Sequence, residues 1–452
     1  MSSSIPDLGS DFGSLATSDA VVDDATFLKT SLSEVATLLN SPSIDELIPI
    51  FIDRPPRVRF CKTPLPADLF PPLHFNKLSP WNFWKSIGSP TTMLAPMVRG
   101  SELAFRLLTK KYNTQCRTSP MLSSRAYLPV EYNSDMVLTT SSDDDPLIIQ
   151  VAGFDPVLVC LTALKALSSA PNACAIELNC GCPQRIARRG YYGAYLQDNI
   201  PLIQTLLACL DQVVRVPVIV KIRRQNTIEE TIRYASALVD AGASVVTLHC
   251  RTREQRGVNK GNPDWEYARE LNKALSHRVP VVLNGGIACY KDVREAELIG
   301  CAAIMAGEWI LSDPAIFADV RSGVPGLCDL ALEFIDICSN VQGAMPTMST
   351  FKSHLVSILT RYLTPDGLKQ FNVLVEEKEL DRKLVWRDQV DGWKPTQCYY
   401  DCLSNLMDCQ TVQEAIDVVQ EVRRRIALEI DGEGLEKKEE EDCDYDIGDF
   451  FG

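Results

Sequence analysis

Val216-Pro-Val-Ile-Val-Lys221 is an apolar, β-branched run that ends in a lysine. Ile228 to Ala241 follows with helical periodicity, and Val245-Val-Thr-Leu-His249 is a second such run, ending in a histidine. Short apolar runs bounded this way read as buried strands joined through a helix. The alternation continues outward. Met93-Leu-Ala, Leu147-Ile-Ile-Gln150 and Ala175-Ile-Glu-Leu-Asn179 precede it, and Val281-Val-Leu-Asn284 and Ala303-Ile-Met-Ala306 follow it. A further strand is expected near Cys116 to Met121, and helical segments such as Ser101 to Lys111 and Ile200 to Val214 lie between the strands. Seven or eight such units within residues 89–322 predict an α/β fold, a TIM (β/α)8 barrel. An open doubly wound sheet is the alternative on pattern alone.

Beyond the barrel the pattern changes. Strand signals stop at Leu327, and Cys328–Asn340, Phe351–Leu363, Gly367–Glu379 and Val412–Leu428 read as amphipathic helices, so residues 325–428 form an all-helical C-terminal domain. Upstream, residues 26–88 are a Pro-rich N-terminal extension lying on the main domain, with a capping box at Ser31-Leu-Ser-Glu34 that places a short helix over roughly 31–40. Residues 1–25 are Ser/Asp/Gly-rich and read as a disordered tail, and 429–452 as an acidic tail.

The chain has 452 residues, 59 acidic and 45 basic side chains and a formal net charge of −14. A nucleic-acid partner usually leaves a basic footprint. The acidity, however, has a location. The first 24 positions hold five acids and no base, and the segment from Glu429 onward holds eleven acids against two lysines. Residues 25–428 are balanced, with 43 of each sign. A hydrophobic fraction of 46% fits a globular protein. The most apolar stretch, Pro156 to Ala170, is short and interrupted by Lys165, which argues against a membrane span. Sixteen scattered cysteines and four histidines are poor material for a metal site. No apolar leader region is present, so the expectation is a reduced, intracellular protein, cytoplasmic or nuclear and not secreted.

Chemistry on such a barrel sits at the C-terminal ends of the strands. Those ends read Ala95-Pro96-Met97, Gln150, Asn179 running into Cys180-Gly181-Cys182-Pro183, Lys221, His249, Asn284-Gly285-Gly286 and Gly307-Glu308. This set suits a flavin. Glycines after the last two strands let backbone N–H groups approach a phosphate. Lys221 suits the N1/O2 edge of the ring system, and Gln150 offers a donor and an acceptor to a pyrimidine-like edge. No Gly-x-Gly-x-x-Gly follows a strand, so a dinucleotide-binding fold is not supported. A Cys182 thiol, with a reference pKa near 8.5, suits general-acid work near neutrality. Cys180 reads as a buried hydrophobe, as most cysteines are.

The runs Leu94-Ala-Pro-Met97, Glu177-Leu-Asn-Cys-Gly-Cys-Pro-Gln184, Val220-Lys-Ile-Arg223, His249-Cys-Arg-Thr-Arg-Glu-Gln255 and Asn284-Gly-Gly286 resemble the tRNA-dihydrouridine synthases. The continuation Arg188-Arg-Gly-Tyr-Tyr-Gly-Ala-Tyr-Leu-Gln-Asp198 is most like the eukaryotic branch that modifies positions 16 and 17 of the tRNA D-loop. The resemblance implies FMN in the barrel, NADPH (or NADH) as reductant, and reduction of the C5–C6 double bond of a uridine in tRNA. It implies that Cys182 protonates C5. Pro96, Met97 and Val98 would line the flavin, Gln150 would hydrogen-bond it, and Lys221 and His249 would contact its ring and phosphate regions. Asn284, Gly285, Gly286, Gly307 and Glu308 would hold the phosphate side, Asn179 would read the uracil edge, and Arg251 would support the site electrostatically. Glu308 is a departure, since many bacterial relatives carry Arg there. An acid beside a phosphate repels it, so its side chain should point away.

After Cys182, Arg185, Arg188 and Arg189 interleave with Tyr191, Tyr192 and Tyr195, which suits phosphate contact and base stacking; the alternative is a solvated arginine cluster with tyrosines in the core. The helical domain adds Lys352, Arg361, Lys369, Arg382, Lys383, Arg387 and Arg423-Arg-Arg425, some of which should form a stripe along the RNA. His277 and His354 read as structural or helix-surface residues. A monomer is favoured, with tRNA as partner. Two other readings compete: a flavin reductase of free pyrimidines or small alkenes, and a catalytically inactive RNA-binding protein.

Overall fold

A computed structural model of the chain describes residues 23–38, 44–52, 62–71, 77–129, 138–257, 260–318, 326–359 and 405–430. Every strand run read from the sequence forms a strand: β1 (Thr92–Leu94), β2 (Cys116–Thr118), β3 (Leu122–Ser123), β4 (Leu147–Ala152), β5 (Ala173–Cys180), β6 (Val218–Arg223), β7 (Val246–His249), β8 (Val281–Asn284) and β9 (Ala303–Ala306). The expected strand at Cys116 to Met121 is split at Ser119-Pro120 into β2 and β3, because proline has no N–H for the ladder. Proline also trims β6, which begins after Pro217.

All pairings are parallel. The order β2-β1-β9-β8-β7-β6-β5-β4-β3 is closed by an additional β2–β4 pairing, which makes a ring of eight strands with β3 as a short rider on the end of β4. This is the (β/α)8 barrel, and the open sheet is excluded by the closure.

Strand side chains alternate between faces, and here the alternation sorts two cores. Leu147, Ile149 and Val151, Ile176, Leu178 and Cys180, and Val218, Val220 and Ile222 point outward into the main core beneath the helices. Met93, Cys116, Ile148, Ala175, Ile219, Val282 and Met305 fill the lumen, where Phe83 and Trp84 from the helix Pro80–Ser86 join them. That helix plugs the N-terminal end of the barrel. Only the C-terminal half of the lumen remains for polar groups.

The N-terminal extension has a defined place. The helix Asp24–Leu38 packs on the helices Ile200–Val213 and Pro156–Ser169, and the helix Ile44–Phe51 packs on the latter. The first of these starts seven residues before the capping box read from the sequence. Asp23 caps it, its carboxylate accepting from the Thr26 N–H at 3.0 Å, whereas Ser31 is buried mid-helix. Further along, Gln204 clamps the Leu65 backbone, accepting from its N–H at 2.7 Å and donating to its carbonyl at 3.2 Å. Lys77 donates to the Asp211 carboxylate at 2.5 Å, with both side chains almost wholly buried. This cover explains why the helices beneath it are apolar nearly all round, a pattern an outer barrel helix facing water would not have.

C-terminal to the barrel, helices Leu327–Asn340, Met348–Leu359 and Val412–Ile430 are described. His354 is buried there, stacked on Phe105 of the barrel at 4.6 Å and 2.9 Å from Glu102, a structural role. The expected helix 367–379 and the basic residues Arg361, Lys369, Arg382, Lys383 and Arg387 lie outside the described residues. Residues 1–22 and 431–452, the greater part of the two expected tails, do so as well. No helix among the described residues is long and apolar enough to cross a membrane.

Removing one member of a buried ion pair strands the other charge, at a cost of about 3–5 kcal/mol. Asp211→Ala should therefore destabilise the protein by roughly that amount in denaturant unfolding, while the apolar double replacement Lys77→Met with Asp211→Leu should recover most of it. An Asp211→Ala variant as stable as wild type would show that the extension is not anchored there.

Candidate active site

Parallel register brings the strand ends together. Gln150 lies beside Glu177, Asn179 beside Lys221, Arg223 beside His249, and His249 beside Asn284. All of these point into the upper lumen, and all are buried or nearly so. Lys221 Nζ donates to Asn284 Oδ1 at 2.9 Å, and Asn284 Nδ2 donates to the Met305 carbonyl at 2.9 Å. Gln150 Nε2 donates to Glu177 Oε1 at 2.7 Å, and its own Oε1 accepts from Asn179 Nδ2 at 2.9 Å.

Asn179 is the penultimate residue of β5 and shapes the loop that follows. Its Oδ1 accepts from the N–H groups of Gly181 at 3.0 Å and Cys182 at 3.1 Å. The loop is held from its other side too. The Ala194 N–H donates to the Cys182 carbonyl at 2.9 Å, and Arg223 Nε donates to the Gly181 carbonyl at 2.8 Å. Tyr195 donates its hydroxyl to the Pro183 carbonyl at 3.0 Å, and the Arg253 guanidinium lies 5.3 Å over the Tyr195 ring. Gly193 has φ +65°, and a Cβ there would lie 2.6 Å from the Cys182 carbonyl oxygen. Cys182 is partly buried, and desolvation pushes its thiol up, with the nearby Arg223 and Lys221 acting the other way. The thiol therefore keeps its proton at neutral pH.

Charge in the lumen is unbalanced. Burial holds the His249 imidazole well below its ordinary range, and Arg223, Lys221, Arg251 and Lys260 push it in the same direction, so it is neutral. Arg251 Nη1 lies 3.3 Å from His249 Nε2. Because arginine only donates, that nitrogen accepts and Nδ1 carries the proton. Glu177, also fully buried, is pushed up from its ordinary 4.5 to about 7 by desolvation, against the pull of Lys221 and the Gln150 hydrogen bond. Lys221 is brought down to about 8 by desolvation, against Glu177. Beside this cluster Gly285 and Gly286 adopt φ +104° and +86°, and a Cβ would lie 2.7 Å from His249 Cδ2 at the first and 2.4 Å from Pro263 Cγ at the second. Only glycine lets the backbone turn here.

A family model described as dihydrouridine synthase matches residues 93–380. The chain belongs to the dihydrouridine synthase family. It is 37% identical over 265 residues to a tRNA-dihydrouridine(16/17) synthase-like protein of Mus musculus, covering 58% of this chain and 54% of that one. A tRNA-dihydrouridine(16/17) synthase of Saccharomyces cerevisiae is 34% identical over 296 residues, 64% of this chain and 69% of that one. A tRNA-dihydrouridine(20a/20b) synthase of the same yeast is 32% identical over 303 residues, 66% of this chain and 77% of that one. The chain thus spans only about half the length of the mouse relative it matches.

On this dihydrouridine synthase barrel, Gln150, Asn179, Cys182, Lys221, His249, Arg251, Asn284, Gly285 and Gly286 converge at one end of the lumen. Pro96, Met97 and Val98 follow β1, and Gly307 lies against Ala95 and the Met97 sulfur. The Glu308 side chain is exposed and ion-paired with Lys260. Arg185, Arg188 and Arg189 stand exposed on the short helix Arg185–Arg189, as does Ile186. Two expectations need correction. Tyr191 is buried in the core with its ring 6.1 Å from Phe154, so it does not present a face to a base. Lys352 is buried and donates to the Met407 carbonyl at 2.6 Å, while Arg423 pairs with Asp329 and Arg424 with Glu421. Glu177 and Arg223 were not singled out from the sequence. Each lies two residues from a predicted site residue on the same strand, which was the available signal.

Two measurements probe this geometry. Gly193→Ala should cost about 1–3 kcal/mol in thermal or denaturant unfolding, since it forces a left-handed residue and a Cβ against the Cys182 carbonyl. A neutral effect would show that the loop does not depend on this approach. The folded Glu177 binds its proton more tightly than the unfolded chain does, so its contribution to stability falls as pH rises from about 4.5 to 7, by up to roughly 3 kcal/mol. The stability difference between wild type and Glu177→Gln should change with pH in that window, and a pH-independent difference would contradict it.

Proposed function

We propose that this chain reduces the C5–C6 double bond of uridine in tRNA, with FMN as bound cofactor and NADPH or NADH as reductant, and that its targets are positions 16 and 17 of the D-loop. The observation that carries the reading is the placing of Cys182, on a loop tied down by Asn179 and Gly193 above a buried polar layer, where burial pushes its thiol pKa up. The relatives named as 16/17 synthases, whose names include NAD(P)(+), support the position and the reductant.

The residues fit a flavin mononucleotide. Gln150 and Asn284 each keep an amide hydrogen and a lone pair beyond those used within the protein. The Lys221 ammonium would sit where negative charge collects on a reduced ring. Gly285 and Gly286 would bring backbone to a phosphate, and Lys221, Arg223 and Arg251 around a neutral His249 would supply the positive field. Pro96, Met97, Val98 and Gly307 would wall the other side. Glu308 is neutralised by Lys260, so contact near it would be through the backbone.

When bound and reduced, FMN supplies the hydride that C6 takes up. Cys182 supplies the matching proton to C5. Burial keeps that proton on sulfur until it is needed, and Arg223 and Lys221 stabilise the thiolate left behind, which solvent then reprotonates. A uridine within folded tRNA must leave its stack to reach this depth. Arg185, Arg188 and Arg189, placed just after the acid, would meet the surrounding phosphates.

The purified full-length protein should bleach with NADPH under anaerobic conditions and be reoxidised by tRNA lacking dihydrouridine. Mapping tRNA from cells with and without the protein should show loss at positions 16 and 17. Cys182→Ala should retain FMN and lose about 10²–10⁴-fold of dihydrouridine formation. Full activity in that variant would remove Cys182 from the mechanism, and equal turnover of free uridine would remove tRNA as the substrate.

A further inference from the structure

The side chains beneath the cysteine loop form a directed chain of hydrogen bonds that begins at Glu177, whose carboxyl takes no part in the proton transfer described above. Gln150 Nε2 donates to Glu177 Oε1 at 2.7 Å, Asn179 Nδ2 donates to Gln150 Oε1 at 2.9 Å, and Asn179 Oδ1 accepts from Gly181 N at 3.0 Å and Cys182 N at 3.1 Å. A carboxamide has one donor end and one acceptor end. Turning Gln150 round would therefore turn Asn179 round as well. Asn179 would then aim its NH2 at two backbone N–H groups, donor against donor, and leave buried donors unpaired. Met121 Sδ, 3.0 Å from Asn179 Nδ2, is a weak acceptor that favours the same orientation.

When ionised, the group at the foot of the chain excludes the reversed arrangement. A carboxylate oxygen only accepts, so Gln150 must offer Glu177 its N–H. Glu177 is 0% exposed, and its other oxygen, Oε2, has no hydrogen-bond partner among the described residues. When the carboxyl takes up a proton, Oε2 can carry it and Oε1 still accepts. A glutamine at this position would present either end, and the polarity of the chain would be lost.

We propose that Glu177 is a positioning residue: as the acceptor-only foot of the Gln150–Asn179 amide chain, it sets the polarity that holds the Gly181 and Cys182 backbone in place. Its bearing on catalysis rests on the reading of Cys182 as proton donor; the hydrogen-bond chain does not.

The test reads thiol reactivity in the full-length protein as purified, by iodoacetamide labelling resolved to single peptides. Cys301, partly exposed and far along the chain, is the internal control. In Glu177→Gln, Cys182 should be labelled roughly 5- to 10-fold faster, the size of losing a buried side chain to backbone hydrogen bond, with Cys301 unchanged. The swap Gln150→Glu with Glu177→Gln moves the acceptor-only group one link up. The new amide on β5 then donates to the new carboxylate on β4, and that carboxylate accepts from Asn179 Nδ2. The Cys182 rate should then return to within about twofold of wild type. A Glu177→Gln rate within about twofold of wild type overturns the proposal, and so does a swap variant that labels as fast as the single one. If Glu177→Gln does not fold, the swap decides alone: slow labelling supports the proposal and fast labelling overturns it. These rates are read whether or not the protein acts on tRNA, and failure of the proposed activity appears separately, as no dihydrouridine formed by wild type.

Discussion

The closed ring of parallel strands is the constraint on which the remaining structure depends. Once β2 pairs with β4, every second side chain of each strand is confined to a lumen with no edge and no exit at its lower end. Phe83 and Trp84 close that end, packed against an apolar layer above them. Polar groups in the upper layers must therefore satisfy one another. Lys221 with Asn284, and Gln150 with Glu177 and Asn179, are the result. An unpaired polar group at this depth costs about 1–3 kcal/mol, which is why these side chains have single, determined orientations.

The N-terminal extension belongs to the same architecture. It covers two outer helices that would otherwise expose apolar faces, and it reaches the active end of the barrel. Lys62 lies 3.6 Å from Asp198, which is ion-paired with Arg253 at 2.5 Å. Arg253 covers the Tyr195 ring, and Tyr195 holds the Pro183 carbonyl. The loop carrying Cys182 is thus braced from the lumen by Asn179 and Arg223 and from outside by this chain of contacts. The proton-donor role proposed for Cys182 needs a fixed position more than a special pKa, and these contacts supply one.

Electrostatics reconcile a chain of net charge −14 with the anionic ligands proposed for it. Most of the excess acid lies in the terminal segments outside the described residues. In the lumen Lys221, Arg223 and Arg251 face a neutral histidine and one carboxyl whose charge is suppressed by burial. On the rim, Arg185, Arg188 and Arg189 are exposed. Glu308, the acid that looked out of place, is cancelled by Lys260. Local fields at short range outweigh the distant net charge because ionic screening removes the latter within about 8–10 Å.

The sequence by itself determined the strands, their polar ends and the helical stretch that follows, because these are signals of period 2 and 3.6 within a few residues. Proline and capping misled it only locally, at Ser119-Pro120 and at Asp23. It also placed Gln150, Asn179, Cys182, Lys221, His249 and Asn284 at strand ends. The tertiary structure decided what each of these touches. Gln150 meets Glu177 from 27 positions away, and Lys221 meets Asn284 from 63. It also decided that Tyr191 turns inward while its arginine neighbours face solvent, and that the proline-rich extension is a cover for the barrel. These outcomes depend on ring closure and register, which bring distant strands side by side, and no local pattern encodes which buried donor will find which acceptor.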